Sequence, residues 1–124
     1  MSEKQVLIPD ATHPITITPT QGRVVVTAGD RVLADSSDAL TLRESTYPPV
    51  QYVPIGDVDP AVLQRTDHAT YCPFKGDAGY YSVVLDGETL DNAVWTYDEP
   101  YDAVAEIAGH VAFYPHLVEV QVRS

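Results

Sequence analysis

Residues 78–90 read AGYYSVVLDGETL, and the fold turns on how that stretch is read. A run of aromatic and β-branched residues ends at Asp86-Gly87, a pair suited to the backbone of a two-residue hairpin turn. Glu88 to Leu90 then begin a return strand. Successive residues of a strand face opposite sides, so Tyr80 and Tyr81 must project from opposite faces of one sheet.

The same grammar extends along the chain. RVVVTAGDRVLAD (23–35) is a second hairpin, turning at Gly29-Asp30. ITIT (15–18) alternates, and ALTLRE (39–44) sets Leu40 and Leu42 on one face with Thr41 and Arg43 on the other. The prolines of TYPPVQYVPIGDV (46–58) predict that VQYV is a short or edge strand. NAVWTY (92–97), VAFY (111–114) and VEVQV (118–122) read as further strands. Two segments differ. Asp59-Pro60 opens a helical turn over AVLQR. PYDAVAEIAG (100–109) spaces Tyr101, Val104, Ala105 and Ala108 as one helical face between Pro100 and Gly109. The expectation is a mainly β, single twisted-sheet domain over 15–124 with one short amphipathic helix at its side. Residues 1–14 read as a loose N-terminal arm.

Length and composition narrow the function. With 124 residues and 44% hydrophobic residues, one packed domain is expected rather than a disordered chain. A net charge of −11, with seven scattered Lys and Arg, argues against nucleic acid and against an anionic membrane surface. MSEKQVLIPD lacks the basic and apolar regions of a signal peptide, and no apolar run reaches the roughly 20 residues of a membrane span. A cytoplasmic, soluble protein is expected. A single cysteine excludes an internal disulfide and a cysteine-based zinc cage.

The scarce residue types gather in HATYCPFKGDAGYY (68–81). It holds the only cysteine, Cys72, and one of two lysines, Lys75. A cation near a thiol favours the reactive thiolate, so Cys72 is a candidate nucleophile, with His68 four residues before it. The plain alternative is a small buried hydrophobe. Lys75 beside Gly76 offers a cation next to backbone donors, an anion or carbonyl contact; its plain role would be to neutralise Asp77, Asp67 or Glu44. Glu44, at a strand end before YPP, is a candidate base or a holder for Lys75. Tyr52, Tyr80, Trp95 and Tyr97 are candidate walls for a small planar or apolar ligand, or ordinary core. Asp35 and Glu44 bracket a strand pair and are expected at one rim. Asp98, Glu99 and Asp102 read as charges complementing the helix start. The dispersed His13, His68, His110 and His116 give no metal site, and no cofactor is implied.

ADSSDAL (34–40), RESTYPPVQYVPIGDVD (43–59), CPFKGDAGYYSV (72–83) and AVWTYDEPYDAVAEIAGHVAFYP (93–115), in this order, resemble the family catalogued as domain of unknown function 427. The likeness covers roughly residues 13 to 122. It implies an Mss4-like β complex, a twisted sheet with one helix at the side. Members of that wider fold group often bind zinc through two CxxC pairs, which this chain lacks. The family is also labelled a nucleotidyltransferase family, but no glycine-rich phosphate loop or GKS/T motif is present to carry that chemistry. Three functions remain: a small-molecule binding module with its pocket at the CPFKG turn, an enzyme using Cys72 or Lys75, and a structural protein whose Tyr-rich face makes a homo-oligomer.

Overall fold

The computed structural model describes residues 5–123; residues 1–4 of the expected arm, with Lys4, lie outside them. Ten strands form two antiparallel sheets. They are β1 (Ile15–Pro19), β2 (Arg23–Ala28), β3 (Arg31–Ser36), β4 (Leu40–Glu44), β5 (Val50–Pro54), β6 (Leu63–Cys72), β7 (Gly76–Leu85), β8 (Glu88–Thr96), β9 (His110–Phe113) and β10 (Glu119–Arg123). The larger sheet has seven strands in the order β1-β4-β5-β9-β8-β7-β6, and the smaller has three in the order β10-β2-β3. The fold is mainly β, and the large sheet is open rather than closed into a barrel. No helix among the described residues is long and apolar enough to cross a membrane.

Both glycine hairpins form, at Gly29-Asp30 and Asp86-Gly87. Instead of one sheet there are two, because the β2–β3 hairpin pairs with β10 and lies across the large sheet. Val24, Val26 and Leu33 bury themselves against Val53, Val83, Val94, Val111 and Phe113 of the large sheet. The period-two alternation then sends the neighbouring residues to the other face. There Leu42, Tyr52, Tyr80, Tyr97 and Ala112 form a second cluster with Val104 and Ile107. Tyr80 joins this second cluster while Tyr81 packs against the first, as alternation requires.

VQYV is short but not an edge. β5 lies between β4 and β9, since Pro48 and Pro49 precede the strand and Pro54 falls at its last position. The AVLQR turn is cut short. Pro60–Val62 makes one 3-10 turn, capped by Asp59 accepting from the Ala61 amide at 2.9 Å, and Leu63 already begins the ten-residue β6. NAVWTY is no separate strand; β8 runs through from Glu88, interrupted at Asn92, whose φ is +51°.

The expected α-helix is a 3-10 helix, Asp102–Ile107, kinked at Val104. Its buried residues are Val104 and Ile107, three apart, whereas Ala105 and Ala108 are exposed. Three residues per turn puts i and i+3 on one line, so two large apolar anchors override the alanine face. Gly109, at φ +76°, ends it as expected.

A candidate site at the CPFKG turn

The loop between β6 and β7 is a tight turn. The Lys75 amide donates to the Cys72 carbonyl at 3.2 Å, with Pro73 in the second turn position that its fixed φ suits. Gly76 follows at φ +111°, and a Cβ there would lie 3.4 Å from the Glu99 carbonyl oxygen. The Lys75 carbonyl accepts from the Tyr101 amide at 3.0 Å. These two bonds fix the Lys75 backbone on both sides. Its side chain folds inward and the residue is only 6% exposed.

There its ammonium donates to Glu44 Oε1 and lies 3.7 Å from Cys72 Sγ. The other Glu44 oxygen, Oε2, is bonded to His13 Nε2 at 2.7 Å. The His13 ring stacks on Phe74, with centroids 4.1 Å apart and planes 4° from parallel. Residues 5–14 thus run against the turn, and the Leu7 amide also donates to the Pro73 carbonyl at 2.9 Å. Burial alone would raise the Glu44 carboxyl, but the bonds from Lys75 and His13 outweigh it and hold the group below its ordinary value. Among the described residues, Lys75 and Glu44 form an ion pair in which both side chains are largely shielded from solvent.

Beside this pair opens a cavity of about 220 Å³. Glu44, Lys75, Tyr52, Tyr80, Tyr97, Trp95 and Tyr114 line it, with Leu42 and Val50 as aliphatic floor. β5, β7 and β8 deliver Tyr52, Tyr80 and Trp95 to one face of the sheet through alternation. The Trp95 indole donates to Tyr52 Oη at 3.1 Å and its ring packs 4.5 Å from Tyr114. Tyr80 Oη meets Thr70 Oγ1 at 2.8 Å. Burial pushes the Tyr52 and Tyr97 hydroxyls far above the ordinary phenol value, and burial with the bond to Tyr80 puts Tyr114 at about 12. Those three hydroxyls are therefore neutral at any physiological pH.

Of the candidates read from the sequence, Glu44, Lys75, Tyr52, Tyr80, Trp95 and Tyr97 line this one cavity, and Cys72 touches Lys75 from behind. Gly76 shapes the turn and does not line the cavity. His68 does not line it either; it is exposed on β6 with its ring 4.4 Å from the outer side of Tyr80. Asp35 is not at the Glu44 rim, because it pairs with Arg23 in the smaller sheet. Asp98 pairs with Arg65 rather than complementing a helix. Three members went unread: Tyr47, Tyr114 and, above all, His13. Once Ile15 is paired with Glu44, the chain just before β1 must pass the Glu44 side chain, and that register was the available signal. Among the described residues no group of three or more His, Cys, Asp or Glu stands close enough to hold a metal ion.

No curated protein matches the chain. The family described as domain of unknown function DUF427 matches residues 16–124, a span that takes in all ten strands but for Ile15, the first residue of β1, and every cavity-lining residue. The chain belongs to the DUF427 family.

Proposed function

We propose that this domain is a small-molecule binding module whose ligand sits in the cavity beside the CPFKG turn. The observation that carries the reading is the buried Lys75–Glu44 pair facing a concave wall of aromatic hydroxyls. Small-molecule sites are mostly apolar clefts with a few placed polar groups, and this cavity has that composition. The pair also bears on ligand charge. Glu44 already neutralises Lys75, so an anion would have to compete with it, inside a protein of net charge −11. The reading is therefore a carbonyl- or hydroxyl-bearing, uncharged planar molecule, held by hydrogen bonds and stacked on Trp95, with Lys75 as the carbonyl contact.

Thermal-shift screening of small carboxylates, phosphates, amides and phenols tests it. Uncharged compounds should stabilise the wild type, and Tyr80→Phe with Trp95→Leu should remove the effect. Stabilisation by anions alone, or by compounds insensitive to both changes, would count against it.

A second reading, an enzyme, draws on the unbroken line His13–Glu44–Lys75–Cys72. Glu44 would take a proton from Lys75, and the free amine would condense with a carbonyl compound to an imine, releasing water. Borohydride treatment with a small aldehyde, followed by peptide mass mapping, separates the two: modification at Lys75 faster than at Lys4 favours the enzyme, and equal slow labelling favours the binding module.

A further inference from the structure

The cavity does not end at Trp95. Tyr47, Pro48, Val50 and Trp95 also line a second, larger hollow of about 520 Å³. Its remaining walls are Pro49, Phe113, Pro115, Val120 and Val122, and among the described residues Gln51 is the sole one lining it that is neither apolar nor aromatic. The two hollows meet at a shared rim, but their chemistry differs sharply. One end carries Glu44, Lys75 and four tyrosine hydroxyls besides the shared Tyr47, while the other offers proline, valine and aromatic surface with no charge. The apolar end stays open to solvent: Val122 is 50% exposed and Tyr47 60% exposed. Uncovered apolar surface of this kind marks a binding groove more often than chance.

Building on the small-molecule reading above, we propose that the ligand is amphipathic, with an uncharged hydrogen-bonding head in the Lys75 cavity and a linear apolar tail along the Pro48–Val122 groove. Continuity through Trp95 is what commits the groove to the tail of the same ligand. A head-only compound would leave the larger and more apolar hollow wet. A tail alone would leave the cavity beside Lys75 and Glu44 unfilled. Lys75, neutralised in place, asks for a dipole rather than a charge, which suits an alcohol, amide, phenol or quinone head. Each methylene drawn from water into such a groove strengthens binding about fourfold until the groove is full.

The test is a homologous series (phenol, 4-ethylphenol, 4-butylphenol, 4-hexylphenol) titrated against the full chain while Trp95 fluorescence is followed. Trp95 is the only tryptophan and stands on the shared rim, so its signal reports both hollows. The expected result is a Kd falling about fourfold per methylene in the wild type. In Val122→Glu the dependence on chain length should vanish while phenol itself binds unchanged. Val32→Glu, an equal charge change at another exposed valine on β3, should keep the full dependence. Val122→Ser, with no charge, should show an intermediate slope and guards against misfolding of the Glu variant. Phenol binding without any gain from the tail would overturn the groove proposal and leave the cavity reading standing. An equal slope in Val122→Glu and Val32→Glu would overturn it as nonspecific partitioning. Self-association abolished by Val122→Glu, with no tail dependence, would assign the groove to a second copy and overturn it too. If neither phenol nor its longer homologues bind, the cavity reading itself fails.

Discussion

The ammonium of Lys75 is bonded to the carboxylate of Glu44, although β4 and β7 stand four strand steps apart in the large sheet. At about 4.8 Å per step a flat sheet would separate them by roughly 19 Å, beyond the reach of the two side chains. The bond forms because the sheet coils around its second apolar cluster and brings the start of β7 back over the end of β4. The pair is thus both a product of the curvature and a clasp across it, and the cavity is the space left inside the coil.

Removing one partner of a shielded ion pair strands the other. Lys75→Met should lower the unfolding free energy by about 3–5 kcal/mol in urea denaturation. Pairing it with Glu44→Leu should restore most of that loss, because no charge is then left without a partner. A Lys75→Met protein as stable as the wild type would make Lys75 an ordinary turn lysine.

Acid should weaken the same clasp. Folding holds the Glu44 carboxyl below its ordinary value of 4.5, because the Lys75 and His13 bonds prevail over burial. Its contribution is complete above that value and is lost as the pH falls through the lower folded value. Urea midpoints of wild type and Glu44→Gln should therefore converge on acidification from neutral pH to below 4.5. A difference that stays constant across this range would show that Glu44 is not held ionised by its neighbours.

Alkali should find the other wall. Tyr52, Tyr97 and Tyr114 resist ionisation chiefly through burial, Tyr114 to about 12. Ultraviolet titration should show four of the eight tyrosines, these three and Tyr71, which burial and its bond to Tyr101 push up to about 12, ionising only well above the ordinary value of 10, and normally once the chain is unfolded. The stability they confer is complete below 10 and declines as the pH rises beyond it. Simultaneous ionisation of all eight in the folded protein near pH 10 would contradict a buried hydroxyl wall.

The turn that seats Lys75 depends on Gly76. At φ +111° alanine is strained, and its Cβ would also stand in contact with the Glu99 carbonyl at 3.4 Å. Gly76→Ala should cost about 1–3 kcal/mol, and more than Gly29→Ala, whose added Cβ would meet nothing within 4 Å. Equal effects would mean that the backbone at residue 76 relaxes freely.

Local periodicity carried much of this architecture in the sequence. Glycine hairpins and alternation located nine of the strands and sent Tyr80 and Tyr81 to opposite faces, because those features depend on neighbours alone. The split into two sheets was not legible, since nothing local says that β10 pairs with β2 across almost the whole chain. β6 was half hidden behind Asp59-Pro60, whose capping signal is genuine but stops after one turn. At the site, residue scarcity singled out Lys75 and Cys72. The Lys75–Glu44 contact was only one of three partners open to Lys75, and choosing among them required the coil of the sheet. His13 stayed unread because its role rests on where the chain enters β1.

The central claim, that the space beside Lys75 and Glu44 holds a small molecule, is tested most directly by soaking crystals of the protein with a library of uncharged aromatic alcohols and amides. The account predicts bound fragments concentrated in the cavity, hydrogen-bonded to Lys75 or a tyrosine hydroxyl and stacked on Trp95. Fragments scattered elsewhere, with the cavity closed by a turned Trp95 side chain, would contradict it.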